Sequence, residues 1–454
     1  MCGIVGIYNH KEAATLTYLG LYALQHRGQE GVGISSFDGK TCYLQKGKGL
    51  VADVFANRES LVSLPGKTAI GHVRYSTRGS CVSENIQPLV FKYKGSQISI
   101  VHNGNLINLA EIKQDLEAHG TLFQTTSDTE YMIHLFAHSN GESIEDKFLY
   151  AFRKIKGAFS VIVLFDNKLI IARDHRGFRP LCFGKLNDAY VFASETCALD
   201  LIGATYERDV NPGEMMVLEG EEVKSYQIAP PEPKHCIFEY VYFSRPDSRI
   251  FGEYVDKTRR KLGKILAIEK PAPEADIVIS VPDSSNTTAI GYSQRSTARF
   301  EIGLIRNHYI GRTFIHPTQS LRDFTAKIKF NSIGGVLKDR KVVVVDDSIV
   351  RGTTLRKLVR MLRSAGAKEI HVRIGSPPVK FPCYFGMDFP SREELIANQK
   401  TIEEIRKYLN VDSLEYISPE GLLNSMTLAP ENFCTACFTG EYCEHINNQE
   451  KSSC

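Results

Sequence analysis

Residues 341–355 read KVVVVDDSIVRGTTL. Four consecutive valines make the near-continuous β-branched run expected of a strand buried on both faces of a parallel sheet. The run ends in Asp346 and Asp347. A loop carrying Ser348, Arg351, Gly352, Thr353 and Thr354 then opens into TTLRKLVRMLRSAG, which has helical spacing. Backbone N–H groups at a helix start point outward and carry partial positive charge, so this loop can hold a phosphate, and its hydroxyls add donors. The two acids would repel that phosphate; they suit sugar hydroxyls or a Mg2+ ion that bridges to other phosphates. The Gly-x4-Gly-Lys-Ser/Thr pattern of a Walker loop is absent. Taken alone, each part of the string also fits a capped helix after a core strand.

The same grammar continues on either side. ADIVISVP (275–282) is a second buried-strand run, followed by DSSNTT (283–288) and a helix-like stretch, and EIHVRIG (369–375) is a third. Strand, loop, helix, strand is βαβ order, which places ligand loops at the carboxyl ends of the strands. Between the first two runs lies GRTFIHPTQSLRDFTAKIKF (311–330), long, basic and polar. It reads as a closing lid in which Arg312, Arg322, Lys327 and Lys329 draw in a polyphosphate and exclude water, or as a solvated charged loop.

Upstream, YQIAPPEPKH (226–235) holds three prolines and reads as a linker. It divides the chain into residues 2–230 and 231–454. The first part alternates short strands, GIVGIY, GVGISSF, TAIGHVRY and QISIVHNG, with the helical segments NLAEIKQDLEAHG and TSDTEYMIHLFAH. Ser127 is the expected N-cap of the second helix, with Glu130 three residues on. AFSVIVLFDNKLIIARD is expected to fold as a hairpin around Asp166 and Asn167. This mixture predicts an α+β layered domain.

The chain opens MCGIVGI. Removing the methionine would leave a thiol and a free α-amine on Cys2. The amine, with a pKa of about 7.7–8.0, can accept the thiol proton near neutrality, so one residue carries both nucleophile and base. The chain is expected to need no processing beyond that removal. LQHRGQEGVG, GHVRYSTRG, VHNGNL and TSDTE follow in order. HNGN offers an Asn side chain and a Gly N–H as an oxyanion hole for amide cleavage. A cation and an anion, Arg74 and Asp128, have the charges to hold an amino acid's carboxylate and amine. Separately, each has an ordinary reading as a strand or helix-end residue.

Composition narrows the field. A net charge of +3 over 454 residues gives little reason to expect nucleic acid or an acidic membrane surface as a partner. There is no apolar run of the roughly 18 residues a membrane span needs, and no signal-peptide pattern. The expected location is therefore cytoplasmic, where the 11 cysteines serve as free thiols, catalysts or metal ligands rather than disulfides.

The string at 341–355 resembles the 5-phosphoribosyl 1-pyrophosphate (PRPP) signature of type I phosphoribosyltransferases. That resemblance implies that Asp346 and Asp347 contact ribose hydroxyls and Mg2+, and that Ser348 to Thr354 cradle the 5-phosphate. Asp283, Ser284 and Ser285 would lie at the pyrophosphate, with Ser284 near the metal. The opening set is similar to class II, N-terminal-nucleophile (Ntn) glutamine amidotransferases. It implies Cys2 as nucleophile, Asn103 and Gly104 as oxyanion hole, Arg74 and Asp128 as glutamine ligands, and Arg27, Gly28 and Thr77 lining the site. Together the two sets resemble the amidophosphoribosyltransferase family. The implied fold is an α+β Ntn hydrolase sandwich joined to an α/β phosphoribosyltransferase domain with a parallel sheet. The implied reaction moves glutamine-derived ammonia onto PRPP, giving 5-phosphoribosylamine and pyrophosphate at the first committed step of purine synthesis. Homotetramers and inhibition by purine nucleotides are family properties.

HCIFEYVYFSRPDS, PCYFGMD and CTACFTGEY match the iron–sulphur branch of that family. They nominate Cys236, Cys383, Cys434 and Cys437 as ligands of a [4Fe–4S] cluster. Zinc on Cys434, Cys437 and Cys443 is the competing expectation. Lys327 stands where many relatives have Arg in the lid, and Lys keeps the charge but loses the fork. Cys443 stands where Pro is common, and Cys454 reads as a dangling thiol. Two other classes remain open: a PRPP-sensing regulator without the chemistry, and a glutaminase with a vestigial second domain.

Overall fold

All six residues of the opening strand, Gly3–Tyr8, are buried, because it lies at the middle of one of two stacked sheets. The computed structural model describes residues 2–75, 82–307, 329–389 and 391–446. The first sheet has seven strands in the order Thr205–Asp209, Cys182–Leu186, Ala189–Ala193, Gly3–Tyr8, Thr68–Arg74, Gly31–Phe37 and Cys42–Lys48. The second has six: Glu222–Gln227, Glu214–Glu219, Lys168–Arg173, Gly157–Phe165, Ser96–Leu106 and Leu89–Tyr93. Pairing within both is antiparallel. The expected hairpin turns at Asp166, which adopts a left-handed φ of 47°.

Period-2 alternation decides which face each side chain joins. Ile4, Ile70, Val101, Ile162, Leu169 and Met216 fill the space between the sheets. Val5, Ile7, Val32 and Val73 face outward onto helices Ala13–Ala23 and Thr196–Ile202. Ile98, Ile100, Val161 and Val163 face helices Leu109–Ala118, Thr129–His138 and Ile144–Lys154. The result is helix, sheet, sheet, helix.

The segment from Ile228 to Lys234 has no regular structure. Beyond it, a five-stranded parallel sheet runs in the order Arg299–Phe300, Ile277–Ser280, Lys341–Asp346, Glu369–Ile374, Ser413–Tyr416. Its valine runs do cover both faces. Val343 and Val345 pack on one side and Val342 and Val344 on the other. Ser280 is level with Val345 across two adjacent parallel strands, so the loops at 281–285 and 346–352 emerge side by side. Among the described residues, no helix is long and apolar enough to cross a membrane.

Candidate active site

Cys2 is buried at the mouth of its strand. Its thiol donates to the Tyr75 carbonyl at 3.6 Å, and its backbone N–H donates to Asn103 Oδ1 at 3.2 Å. The pairing of Gly3 with Val73 brings Cys2 level with the end of the Arg74 strand. Asn103 and Gly104 sit within strand Ser96–Leu106, opposite Ser160 and Phe159. A Cβ on Gly104 would lie 2.0 Å from the Ala158 carbonyl oxygen, so no other residue fits there. Asn103 Nδ2 is buried with no partner among the described residues, a donor open to a substrate oxygen.

Arg74 and Asp128 are both buried, and they are tied to each other by residues that sequence reasoning missed. Arg74 donates to the Asn85 carbonyl at 3.0 Å. The Asn85 side chain clasps Thr126, donating to its hydroxyl at 2.8 Å and accepting from its N–H at 3.1 Å. Asp128, two residues on, accepts the Leu106 N–H at 3.1 Å and faces His102 Nδ1 at 3.5 Å. Asn85 carries no local signal, since its partners lie 11 and 41 residues away. The helix begins one residue later than expected, at Thr129 with Asp128 as N-cap. Ser127 Oγ accepts the Thr129 N–H at 3.4 Å, while Glu130 takes the N–H groups of Gln124 and Thr125 instead of closing a capping box. Gly28 is buried beside Arg27. Thr77 lies outside the described residues.

Arg27 is fully buried and gathers a chain of charges. Its Nε donates to the Cys2 carbonyl at 3.0 Å, and its two terminal nitrogens bind Glu195 and, at 2.8 Å, Glu239. Burial opposes the Arg27 charge, but Glu239 and Glu195 more than offset it and raise its pKa. Burial opposes the Glu195 charge too, yet His26 and Arg27 hold its carboxyl far below the usual range. Glu195→Ala should cost about 3 kcal/mol in urea unfolding at neutral pH, because it removes one of the two carboxylates that hold a buried guanidinium. Since the folded value is the lower one, this contribution is complete above the unfolded carboxylate value of about 4.3 and fades as pH falls below it.

The acidic pair sits at the end of Lys341–Asp346. Asp347 accepts Ser284 Oγ and Ser348 Oγ, each at 2.6 Å, and Asp346 accepts Ser285 Oγ at 3.2 Å. Burial pushes both carboxyls up. The Asp347 charge adds to this for Asp346, while Ser284, Ser348 and the buried Arg259 pull Asp347 back. Gly352 caps the following helix at φ 73°, a left-handed turn that suits glycine. Asp283 pairs with Arg306 at 3.0 Å. Arg351 reaches Glu394 at 2.6 Å. Asp283, Ser284, Asp346, Asp347, Ser348 and Arg351 line a cavity of about 750 Å³ together with Lys329, Thr353 and Thr354, and the same cavity is walled by His26, Tyr75 and Tyr242. It therefore runs from the acidic pair to the residue that holds the Cys2 thiol. Arg312, Arg322 and Lys327 lie outside the described residues.

The four nominated cysteines converge on the far side of Arg179. Strand His235–Cys236 pairs in parallel with Phe433–Cys434, which sets Cys236 beside Cys434. Cys437 takes the N–H groups of Lys380 and Phe381 on its carbonyl, which anchors the 380–383 segment. Each of Cys236, Cys383 and Cys434 feels the Arg179 guanidinium, and burial is the main force raising the thiols of Cys236, to about 12, and Cys383. Cys443 hydrogen-bonds Cys434. Among the described residues, no three His, Cys, Asp or Glu side chains close on a single ion position. The Cys437 thiol feels Cys434, Cys236 and Cys383, so the four nominated cysteines lie within electrostatic reach of one another, and four gathered thiols are the donor set a [4Fe–4S] group would need. Cys454 lies outside the described residues.

The chain matches family models for class-II glutamine amidotransferases over residues 1–133, a glutamine amidotransferase domain over 72–201 and a phosphoribosyl transferase domain over 274–374. It is 47% identical to the amidophosphoribosyltransferase of Bacillus subtilis, with 97% of this chain and 94% of that one aligned. The Archaeoglobus fulgidus amidophosphoribosyltransferase is 47% identical over 99% of both chains. The chain belongs to the amidophosphoribosyltransferase family. A plant member, amidophosphoribosyltransferase 2, chloroplastic, of Arabidopsis thaliana, is 50% identical over 97% of this chain and 79% of its own. Among solved structures, the B. subtilis glutamine PRPP amidotransferase complexed with ADP and GMP superposes with a TM-score of 0.93 at 46% identity, covering 98% of each chain. Another, described as the allosteric regulatory enzyme of purine biosynthesis, gives 0.94 over 99% of this chain and 97% of its own. The amidophosphoribosyltransferase fold thus comprises both expected parts, the Ntn-type layers and the phosphoribosyltransferase sheet.

Proposed function

We propose that this chain releases ammonia from glutamine at Cys2 and transfers it to C1 of PRPP, forming 5-phosphoribosylamine and pyrophosphate for purine biosynthesis. The observation that carries this reading is the cavity shared by the acidic pair and Tyr75, the partner of the Cys2 thiol. The cavity is the proposed route for ammonia from one end to the other.

With the α-amine freed by methionine removal, the Cys2 thiol passes its proton to that amine and attacks the amide carbon. Asn103 Nδ2 and the Gly104 N–H receive the negative charge on oxygen. Collapse expels ammonia, which takes the proton held by the amine, and water then cleaves the thioester to glutamate. Arg74 is assigned to the glutamine carboxylate and Asp128 to its amine, with Arg27, Gly28 and Thr77 around them. In the second half-reaction, ammonia displaces pyrophosphate from C1. Ser348 to Thr354 hold the 5-phosphate, with Arg351 at the rim, and Asp283, Ser284, Ser285, Arg312 and Lys329 serve the pyrophosphate.

Ser284, Asp346 and Asp347 offer oxygen donors for Mg2+, which prefers one or two carboxylates and completes its shell with phosphate oxygens and water. When bound, the ion neutralises the leaving pyrophosphate. Cys236, Cys383, Cys434 and Cys437 are proposed to hold a [4Fe–4S] cluster with a structural role. Feedback by purine nucleotides is proposed by analogy with the B. subtilis complex, which contains ADP and GMP. A homotetramer, a cytoplasmic location and a division between residues 2–230 and 231–454 complete the reading.

The test is stoichiometry. With glutamine, PRPP and Mg2+, glutamate and pyrophosphate should appear one for one, and omission of PRPP should suppress glutamate release. Glutamate formed at the same rate without PRPP overturns the coupling. An anaerobic preparation should contain about four irons and four sulfides per chain; a preparation with zinc alone overturns the cluster.

A further inference from the structure

One contact joins the cysteine-bearing loop to the oxyanion strand directly. Asn105 follows Gly104 in strand Ser96–Leu106, is buried, and donates through Nδ2 to the Tyr384 carbonyl at 2.8 Å. The two residues are 279 positions apart. Neighbouring atoms of the loop are gripped as well. The Phe385 N–H donates to Cys383 Sγ at 3.4 Å, and the Phe385 carbonyl accepts Arg179 Nε at 3.0 Å. The Phe385 ring stacks on Phe178 with centroids 4.3 Å apart and planes 16° from parallel. Gly386, at φ 97°, passes so close to Gly104 that a Cβ there would stand 3.1 Å from its carbonyl carbon and oxygen.

We infer that Asn105 and the loop Cys383–Gly386 are the positioning elements of the oxyanion hole, so that the cysteine nest of the second half holds the glutamine site of the first in working shape. The physical reason is tolerance. An oxyanion donor works at about 2.7–3.1 Å from the developing charge, and a displacement near 1 Å can cost about a hundredfold. The outer side of Gly104 has no side chain of its own to fix it. Its position is set by Ala158 on one flank and by the Gly386 backbone on another. Cys383 anchors the start of that loop, and Asn105 latches its middle to the strand. Neither Asn105 nor the loop needs to touch glutamine.

This inference rests on the assignment of Asn103 and Gly104 as the oxyanion hole. The experiment separates the two by comparing synthesis from glutamine with synthesis from free ammonia in the full chain. Asn105→Ala should lower kcat with glutamine by about 10- to 100-fold, with KM for glutamine and the ammonia-dependent rate little changed. Gly386→Ala, which forces a Cβ against Gly104 and strains a left-handed backbone, should show the same split. Cys383→Ser should lose the visible absorbance of bound iron and acquire the same glutamine-specific deficit. Equal losses with both nitrogen sources, or an unchanged kcat with glutamine in both Asn105→Ala and Gly386→Ala, overturn the inference. So does Cys383→Ser that loses iron and keeps the wild-type ratio of glutamine to ammonia rates. Asn103→Ala is the control: full glutamine turnover in that variant overturns the underlying assignment instead.

Discussion

Cys2→Ala reduces glutamine-dependent synthesis by about 10⁴-fold or more and leaves ammonia-dependent synthesis within about twofold. The asymmetry follows from the layout. Among the described residues the thiol's hydrogen-bond partner is the Tyr75 carbonyl, and its loss opens a small space at the mouth of one strand. The buried charges around Arg27 bind the Cys2 carbonyl, not its side chain, so they stay in place. Nothing at the acidic pair depends on sulfur. The check is initial rates with each nitrogen source at saturating PRPP. Parallel loss of both would mean that Cys2 supports the fold rather than the chemistry. Mass spectrometry of the active protein belongs with this measurement, because a retained Met1 leaves the thiol without its proton acceptor.

The converse experiment is Asp347→Asn. It preserves shape and removes one charge from a carboxylate that two serine hydroxyls serve at 2.6 Å. The kcat/KM for PRPP should fall by about 10²- to 10³-fold, equally with glutamine and with ammonia. The slow PRPP-independent hydrolysis of glutamine should persist. A defect confined to glutamine would remove Asp347 from the PRPP site. Raising Mg2+ should restore part of the rate if the lost charge serves the ion, and none if it serves only the ribose.

Much of this was legible in the chain, for reasons that differ by region. The valine runs announced a sheet covered on both faces because hydrophobic content needs no partner to be read. The phosphate loop was legible because its donors are contiguous: strand end, acids, glycine and hydroxyls fall within a dozen residues. The glutamine site was harder, since Cys2, Arg27, Arg74, Asn103 and Asp128 come from five separate segments, and only their order along the chain linked them. What stayed hidden were the residues that hold others. Asn85 fastens Arg74 to the Asp128 loop, Glu195 and Glu239 enclose Arg27, and Asn105 grips a carbonyl. Each is a common polar residue whose role lies in a partner far along the sequence. The helix start at Thr129 slipped by one position because Asp128 was drawn into binding Leu106, which left the cap itself without a side-chain bond.

The pairing of Cys236 with Cys434 closes a ring of nearly the whole second half, and the loop that packs against Gly104 lies inside that ring. During synthesis Cys2 leaves the ribosome first, and the loop Cys383–Gly386 follows far later. A half-made chain therefore has Gly104 without the backbone that packs against it in the finished protein.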